Sequence, residues 1–104
     1  MASGRLGKAS IAANTDADVY TVPAGIVAAA NVNICNTGAA AVKVRLAIRS
    51  GALAAADYIE HDADVPAGGV LERTGLALTA GETVVVRASA SGVSVRVHGF
   101  EETA

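Results

Sequence analysis

Hydrophobic and polar residues alternate along most of this chain with a period of two, rather than the period of about 3.6 residues that marks an amphipathic helix. The clearest example is VKVRLAIR, residues 42–49, in which every even position is apolar and Lys43, Arg45 and Arg49 occupy odd positions. Successive side chains of a strand point to opposite faces of its sheet. The pattern therefore predicts a strand with one face in a hydrophobic core and a basic face outside.

The same alternation recurs and predicts an all-β protein. The predicted strands cover residues 18–22, 27–35, 41–49, 57–62, 69–73, 82–90 and 93–99, with a weaker strand at 6–12 and a helical turn at 54–56. About seven or eight short strands at this spacing are typical of an antiparallel β-sandwich or a jelly roll. We predict one domain over residues 1–104, in which residues 1–12 form an N-terminal arm or edge strand and residues 100–104 a C-terminal tail.

Glycine and proline mark the connections between these strands. NTGAA at 36–40 and ASG at 90–92 each separate two alternating segments, and glycine supplies the positive φ of tight hairpins, so both predict hairpins. VPAG occurs at 22–25 and 65–68, and the related LTAG at 78–81. Proline fixes φ and glycine relaxes it, so these three segments predict corners between strands.

The composition indicates a thin core. Hydrophobic residues make up 52% of the 104 residues but aromatic residues only 3%, so Ala, Val, Ile and Leu carry the apolar content. A buried Val or Leu contributes roughly 1.5–3 kcal/mol, and Ala contributes less. We therefore expect a modestly stable subunit that gains stability by burying further surface against a partner.

Charge and cysteine content narrow the class of protein. The net charge of −2 provides no global field that attracts nucleic acid or an anionic membrane, and the few aromatic residues do not suit a platform that stacks bases. The single Cys35 allows no intramolecular disulfide, and no segment resembles a signal peptide or membrane helix. We expect no direct binding of nucleic acid, no membrane contact, and assembly in a reducing cytoplasm.

Charged side chains define the candidate contact surfaces. Arginine also emerges from the outer face of the last two predicted strands, so a basic stripe crosses one sheet if these strands are neighbours. The stripe comprises Lys43, Arg45, Arg49, Arg87 and Arg96, and the acidic segment DYIEHDAD places Glu60, Asp62 and Asp64 on one face. Basic and acidic faces are complementary between copies, which suits a ring or a trimer. The alternative is that both sets are ordinary solvated faces.

Metal binding and catalysis find little support. Alternate residues of a strand lie roughly 6.6 Å apart, too far for the three carboxylates to surround a calcium ion without further loop oxygens. His61 and His98 lie in no recognised catalytic spacing, and no phosphate-binding glycine motif is present. Cys35 follows an apolar segment, which favours a small buried hydrophobic residue over a nucleophile. We predict no enzymatic activity, no cofactor and no catalytic or metal-binding residue.

The segments VYTVPAG, NVNICNTGAAAVKVRLAI and GGVLERTGLALTAGETVVVRASASGVSVRVHGFEE resemble small virion structural proteins of tailed bacteriophages. The resemblance covers residues 19–102. The similarity is one of general residue pattern along these segments and includes no catalytic motif. It implies a β-sandwich that is part of a virus particle. The implied partners are major capsid or tail proteins and further copies of the chain itself.

The function that the resemblance implies is mechanical. The first expectation is a capsid decoration or cement protein that stabilises the shell through protein contacts, assembles in the host cytoplasm and resides in the virion. Subunits of the tail, collar or fibre are the alternative, because they reuse β-sandwich modules. A soluble β-sandwich binding module is a third option, which a strictly monomeric state and an exposed pocket would favour.

Overall fold

The computed structural model describes residues 2–104, so Met1, the first residue of the predicted arm, lies outside the described part. The described residues form eight strands and one short turn of 3-10 helix at Ala55–Asp57. The strands are β1 (Ser3–Ile11), β2 (Ala17–Thr21), β3 (Ile26–Asn36), β4 (Val42–Arg49), β5 (Tyr58–Val65), β6 (Val70–Leu78), β7 (Thr83–Ala88) and β8 (Val93–Thr103). The prediction of an all-β protein is confirmed.

The eight strands form two four-stranded antiparallel sheets. Sheet I has the order β1-β8-β3-β6 and sheet II has the order β2-β7-β4-β5. The first strand therefore pairs with the last, β2 with β7, β3 with β6, and β4 with β5. The prediction of an antiparallel β-sandwich is confirmed.

The core lies between the sheets and consists mainly of valine and other aliphatic side chains. In β4 the even positions face inward, so that Val44 and Leu46 are fully buried, and Val84 and Val86 of β7 are fully buried beside them. Sheet I contributes Val32 and Ile34 from β3 and Val95 and Val97 from β8. Alternation follows in most strands because one face of each sheet meets the other sheet and the opposite face meets water. In the central strand β7 it is broken, since Thr83 to Val86 are all buried.

The two predicted hairpins are wrong. Residues 36–40 connect β3 of sheet I to β4 of sheet II, and residues 90–92 connect β7 of sheet II to β8 of sheet I, so each segment carries the chain across the core. Glycine in a short connection between two strands indicates a sharp change of direction but does not specify which strands pair.

The three predicted corners also carry the chain from one sheet to the other. In each, the carbonyl of the first residue of the turn accepts a hydrogen bond from the N–H three residues later: Pro23 from Ile26, Pro66 from Gly69, and Thr79 from Glu82. The third residue is glycine with positive φ, at 74°, 69° and 86° for residues 25, 68 and 81. The repeated motif therefore reflects one type of turn that needs φ above zero at its third position.

The two ends of the described chain lie in sheet I. β1 is an edge strand of that sheet, and β8 continues through Thr103, so residues 100–103 belong to a strand rather than to the predicted tail. The carboxylate of Glu101 accepts hydrogen bonds from the Tyr20 hydroxyl (2.5 Å) and from the backbone N–H of Ala2 (2.9 Å). β8 lies between β1 and β3, and its pairing with β3 extends to Thr103. The C-terminal residues 100–103 are therefore held in the sheet.

Candidate protein contact surfaces

The basic strand β4 and the acidic strand β5 are neighbours in sheet II, and their charges meet within one subunit. Lys43 lies opposite Asp64, and their charged groups are 2.8 Å apart. Arg45 binds both carboxylate oxygens of Asp62, at 2.7 and 3.3 Å. The hydrogen bond from Arg45 lowers the pKa of Asp62, and the same bond raises the pKa of Arg45. The predicted complementarity is therefore satisfied inside the chain.

Two further arginines of sheet II pair with aspartates in or before β2. Arg49 donates to Asp18 at 2.7 Å across the intervening β7, and Arg87 lies 3.4 Å from Asp16. Asp16 and Asp18 were missed by sequence reasoning because their closeness to these arginines depends on the position of β2 beside β7. Four cations and four carboxylates thus form ion pairs on the outer face of sheet II, which we call the paired face. Its cations are Lys43, Arg45, Arg49 and Arg87, and its carboxylates are Asp16, Asp18, Asp62 and Asp64.

A bulge in β5 separates Glu60 from the two aspartates with which it was predicted to share a face. Asp62 has φ of 55°, and the register with β4 shifts at this point, so that Glu60 lies opposite the fully buried Leu46. Glu60 instead pairs with Arg73 of β6, which bridges the open edge between the two sheets. Ile59, the neighbour of Glu60, faces outward and is 43% exposed.

Arg96 does not join the other predicted basic residues. It lies on β8, in sheet I, and the neighbouring residue of β1 on the same face is Lys8. Among residues 2–104, neither Lys8, Arg96 nor the nearby Arg5 forms an ion pair. The predicted stripe is thus divided between two sheets: its members on sheet II are paired with carboxylates, whereas Arg96 on sheet I is not.

The outer face of sheet I, which we call the unpaired face, also carries a polar groove and an apolar hollow. The groove, of about 490 Å³, is lined by Lys8, Ser10, Asn33, Cys35, Ser94 and Arg96. The side-chain oxygen of Asn33 is screened from solvent and accepts no hydrogen bond from the described residues. The hollow, of about 360 Å³, lies beside Phe100, which is 64% exposed.

The residues weighed for catalysis or metal binding are dispersed. His61 lies on β5 of sheet II and His98 on β8 of sheet I, while Cys35 is half-buried on β3. Within residues 2–104, no three His, Cys, Asp or Glu side chains are grouped so that they could hold a metal ion. Asp62 and Asp64, weighed as calcium ligands, bind Arg45 and Lys43 instead. No helix in this described part is long and apolar enough to span a membrane.

Comparison with solved structures finds similarity to a pentameric capsid protein isolated from metagenomic phage sequences. The two chains are 14% identical and superpose with a TM-score of 0.46. The match covers 92% of this chain and 64% of that chain, so this chain spans less than two thirds of its length. No protein-family model and no curated protein sequence matches the chain.

Proposed function

We propose that this chain is a structural protein of a tailed-phage particle that acts through protein contacts and not through catalysis. The observation that carries the proposal is the strand pairing: first with last, second with seventh, third with sixth, and fourth with fifth. Jelly rolls, an architecture used by viral capsid domains, pair their strands in this order, which supports the proposal. The resemblance of residues 19–102 to small virion proteins of tailed phages supports the same assignment.

Within the particle, we favour a decoration or cement role on the capsid. The two sheets present two broad outer faces, and a flat module of this kind can contact several shell proteins at once, which multiplies individually weak contacts into firm attachment. The chain would assemble in the host cytoplasm, reside in the virion, and bind major capsid proteins and further copies of itself, with a trimer as one arrangement. A location in the tail, collar or fibre is the alternative.

The paired face is the proposed contact with the particle. Its ion pairs are exposed, with side-chain exposures of 33% for Arg45 and 29% for Arg49, and exposed ion pairs contribute only about 0–1 kcal/mol each. An acidic surface on a neighbouring protein can therefore take over an arginine from its aspartate at little cost. Arg45 and Arg49 are already held by their aspartates in the free subunit, so little side-chain entropy is lost on docking.

Reversal of two charges tests this contact. In Arg45→Glu/Arg49→Glu, glutamates would face an acidic neighbour, and we expect at least about tenfold weaker loading onto particles of the encoding phage. The subunit should remain folded by circular dichroism, since both positions are at the surface. Arg45→Lys/Arg49→Lys keeps the charge and serves as the matched control. Normal loading of the reversed variant in moderate salt would show that the paired face does not dock.

A further inference from the structure

We propose that the unpaired face of sheet I binds a second copy of itself about a two-fold axis. This inference concerns the isolated chain and does not depend on a role in a phage particle. It starts from one row of side chains that crosses sheet I from edge to edge on the outer face. In order across β1, β8, β3 and β6, this row is Lys8, Arg96, Asn33 and Glu72.

The charged members of this row have no partner in their own subunit. Lys8 and Arg96 form no ion pair with the described residues, and neither does the carboxylate of the exposed Glu72. Cations at one edge and an anion at the other make the row complementary to its own reversed copy.

One symmetry axis brings the unlike charges at the two edges together. A second copy turned by 180° about an axis parallel to the strands, midway between β8 and β3, lies with its β1 over β6 and its β8 over β3. Lys8 then meets Glu72 of the second copy, and Arg96 lies over Asn33. Because the contact is isologous, each interaction forms twice. An in-plane axis perpendicular to the strands would instead place β1 over β1 and β8 over β8, which brings the cations together.

The same axis gives a partner to Phe100, the most exposed large hydrophobic residue among residues 2–104. Phe100 lies opposite Ala29 in the pairing of β8 with β3, and Ala29 lies opposite Ala77 of β6. Both alanines are exposed and line the apolar hollow. The two-fold rotation places Phe100 of each copy over Ala29 of the other, where the ring can enter the hollow. The small side chains around it allow the sheets to approach closely, as stacked sheets in a sandwich do.

The size of the face indicates a reversible dimer. Its strands have nine to eleven residues, so the face measures roughly 30 by 19 Å at about 3.3 Å per residue and 4.8 Å per strand. The area of a face with these dimensions is below the roughly 800 Å² that each partner contributes to an interface of standard size. We therefore expect a dimer that dissociates on dilution and on addition of salt. Two-fold symmetry distinguishes this contact from the trimer considered for the particle.

Sedimentation velocity of the full chain over a series of concentrations tests the proposal. We expect a monomer–dimer equilibrium, and we expect Lys8→Glu and Glu72→Lys each to weaken it at least about tenfold, because each places like charges opposite one another twice. Lys8→Glu/Glu72→Lys restores unlike pairs and should recover most of the affinity. Phe100→Ser should weaken the dimer without unfolding, since the ring is 64% exposed. Lys43→Glu, on the paired face, is the control and should dimerise normally.

Several results would overturn the proposal. A monomer at every concentration, a dimer unaffected by Lys8→Glu, or a charge swap that restores nothing would each exclude this contact. If the wild-type chain stayed monomeric while Lys8→Glu abolished loading onto particles, the unpaired face would belong to another protein and the self-association would be wrong. Particle loading is otherwise not used in this test, so the dimer and the proposed particle role can fail separately.

Discussion

At the scale of single residues, Asn36 is the polar side chain on which the crossing between the sheets depends. It is fully buried, and its amide nitrogen lies within hydrogen-bond distance of the carbonyls of Ala40, Val65 and Pro66, at 2.8, 3.1 and 3.2 Å. Its side-chain oxygen accepts from the N–H of Gly38 at 3.0 Å. The residue thereby joins the end of β3 to the turn between β5 and β6, a role that its place in NTGAA does not reveal.

Asn36→Asp should destabilise the fold by about 3 kcal/mol, because the carboxylate keeps the shape of the amide but removes the donor and leaves buried carbonyls unsatisfied. The measurement is chemical unfolding followed by circular dichroism. Asn31→Asp is the matched control, since Asn31 is half-buried and its side-chain oxygen only accepts, from the N–H of Gly75 at 3.0 Å. Equal stabilities of the two variants would contradict the role given to Asn36.

Glu101 gives the fold a predictable dependence on acid. Hydrogen bonds from the Tyr20 hydroxyl and from the N–H of Ala2 lower the pKa of its carboxyl below the ordinary value of 4.5. A carboxyl with a lowered pKa in the folded state stabilises that state above its ordinary pKa, and the stabilisation is lost as the pH falls through the lowered value. Glu101→Gln should therefore flatten the decline of stability with acid below about pH 4.5.

The corresponding measurement is the free energy of unfolding at a series of pH values for the wild-type chain and the variant. Glu102→Gln is the control, because Glu102 is the next residue of the same strand and is exposed. If the two variants lose stability with acid in the same way as the wild-type chain, Glu101 does not anchor β8.

At the scale of strands, the alternating pattern located every element but not its partners. The period of two identified β4, β7 and β8 with their inward faces, because burial between two sheets imposes that period. Pairing could not be inferred locally: seven connections join the eight strands, and only the one from β4 to β5 stays in one sheet. The bulge at Asp62 was equally hidden, since one extra residue reverses the faces on either side without changing the composition.

The contact between β8 and β3 offers a test at this scale. A Cβ atom on Gly99 would overlap the carbonyl oxygen of Ala29, so the glycine permits the close approach of the two strands. We expect Gly99→Ala to lower the free energy of unfolding by about 3 kcal/mol, since backbone and not a flexible side chain must move. Ser94→Ala, also on β8 but on the outer face of sheet I, should change the free energy of unfolding little. A stable Gly99→Ala variant would mean that β8 and β3 do not pair as described.

At the scale of the whole molecule, the sequence predicted a sandwich with charged outer faces but misjudged how the charges are distributed. The period sufficed for the fold class, because alternation of apolar and polar residues over most of the chain is typical of strands with one buried face. The candidate site could not be predicted in the same way. Whether Arg45 meets Asp62 of its own chain or a partner's acid depends on which strands are neighbours, and only the topology gives that answer.

The proposed role requires that this chain is built into a phage particle by protein contacts. Electron cryomicroscopy of intact particles of the encoding phage tests that claim. We predict density for the sandwich at a regular position on the capsid, with the outer face of sheet II against a neighbouring shell protein. Density in the tail or collar would move the chain to the alternative location, and complete absence of the chain from purified particles would contradict the account.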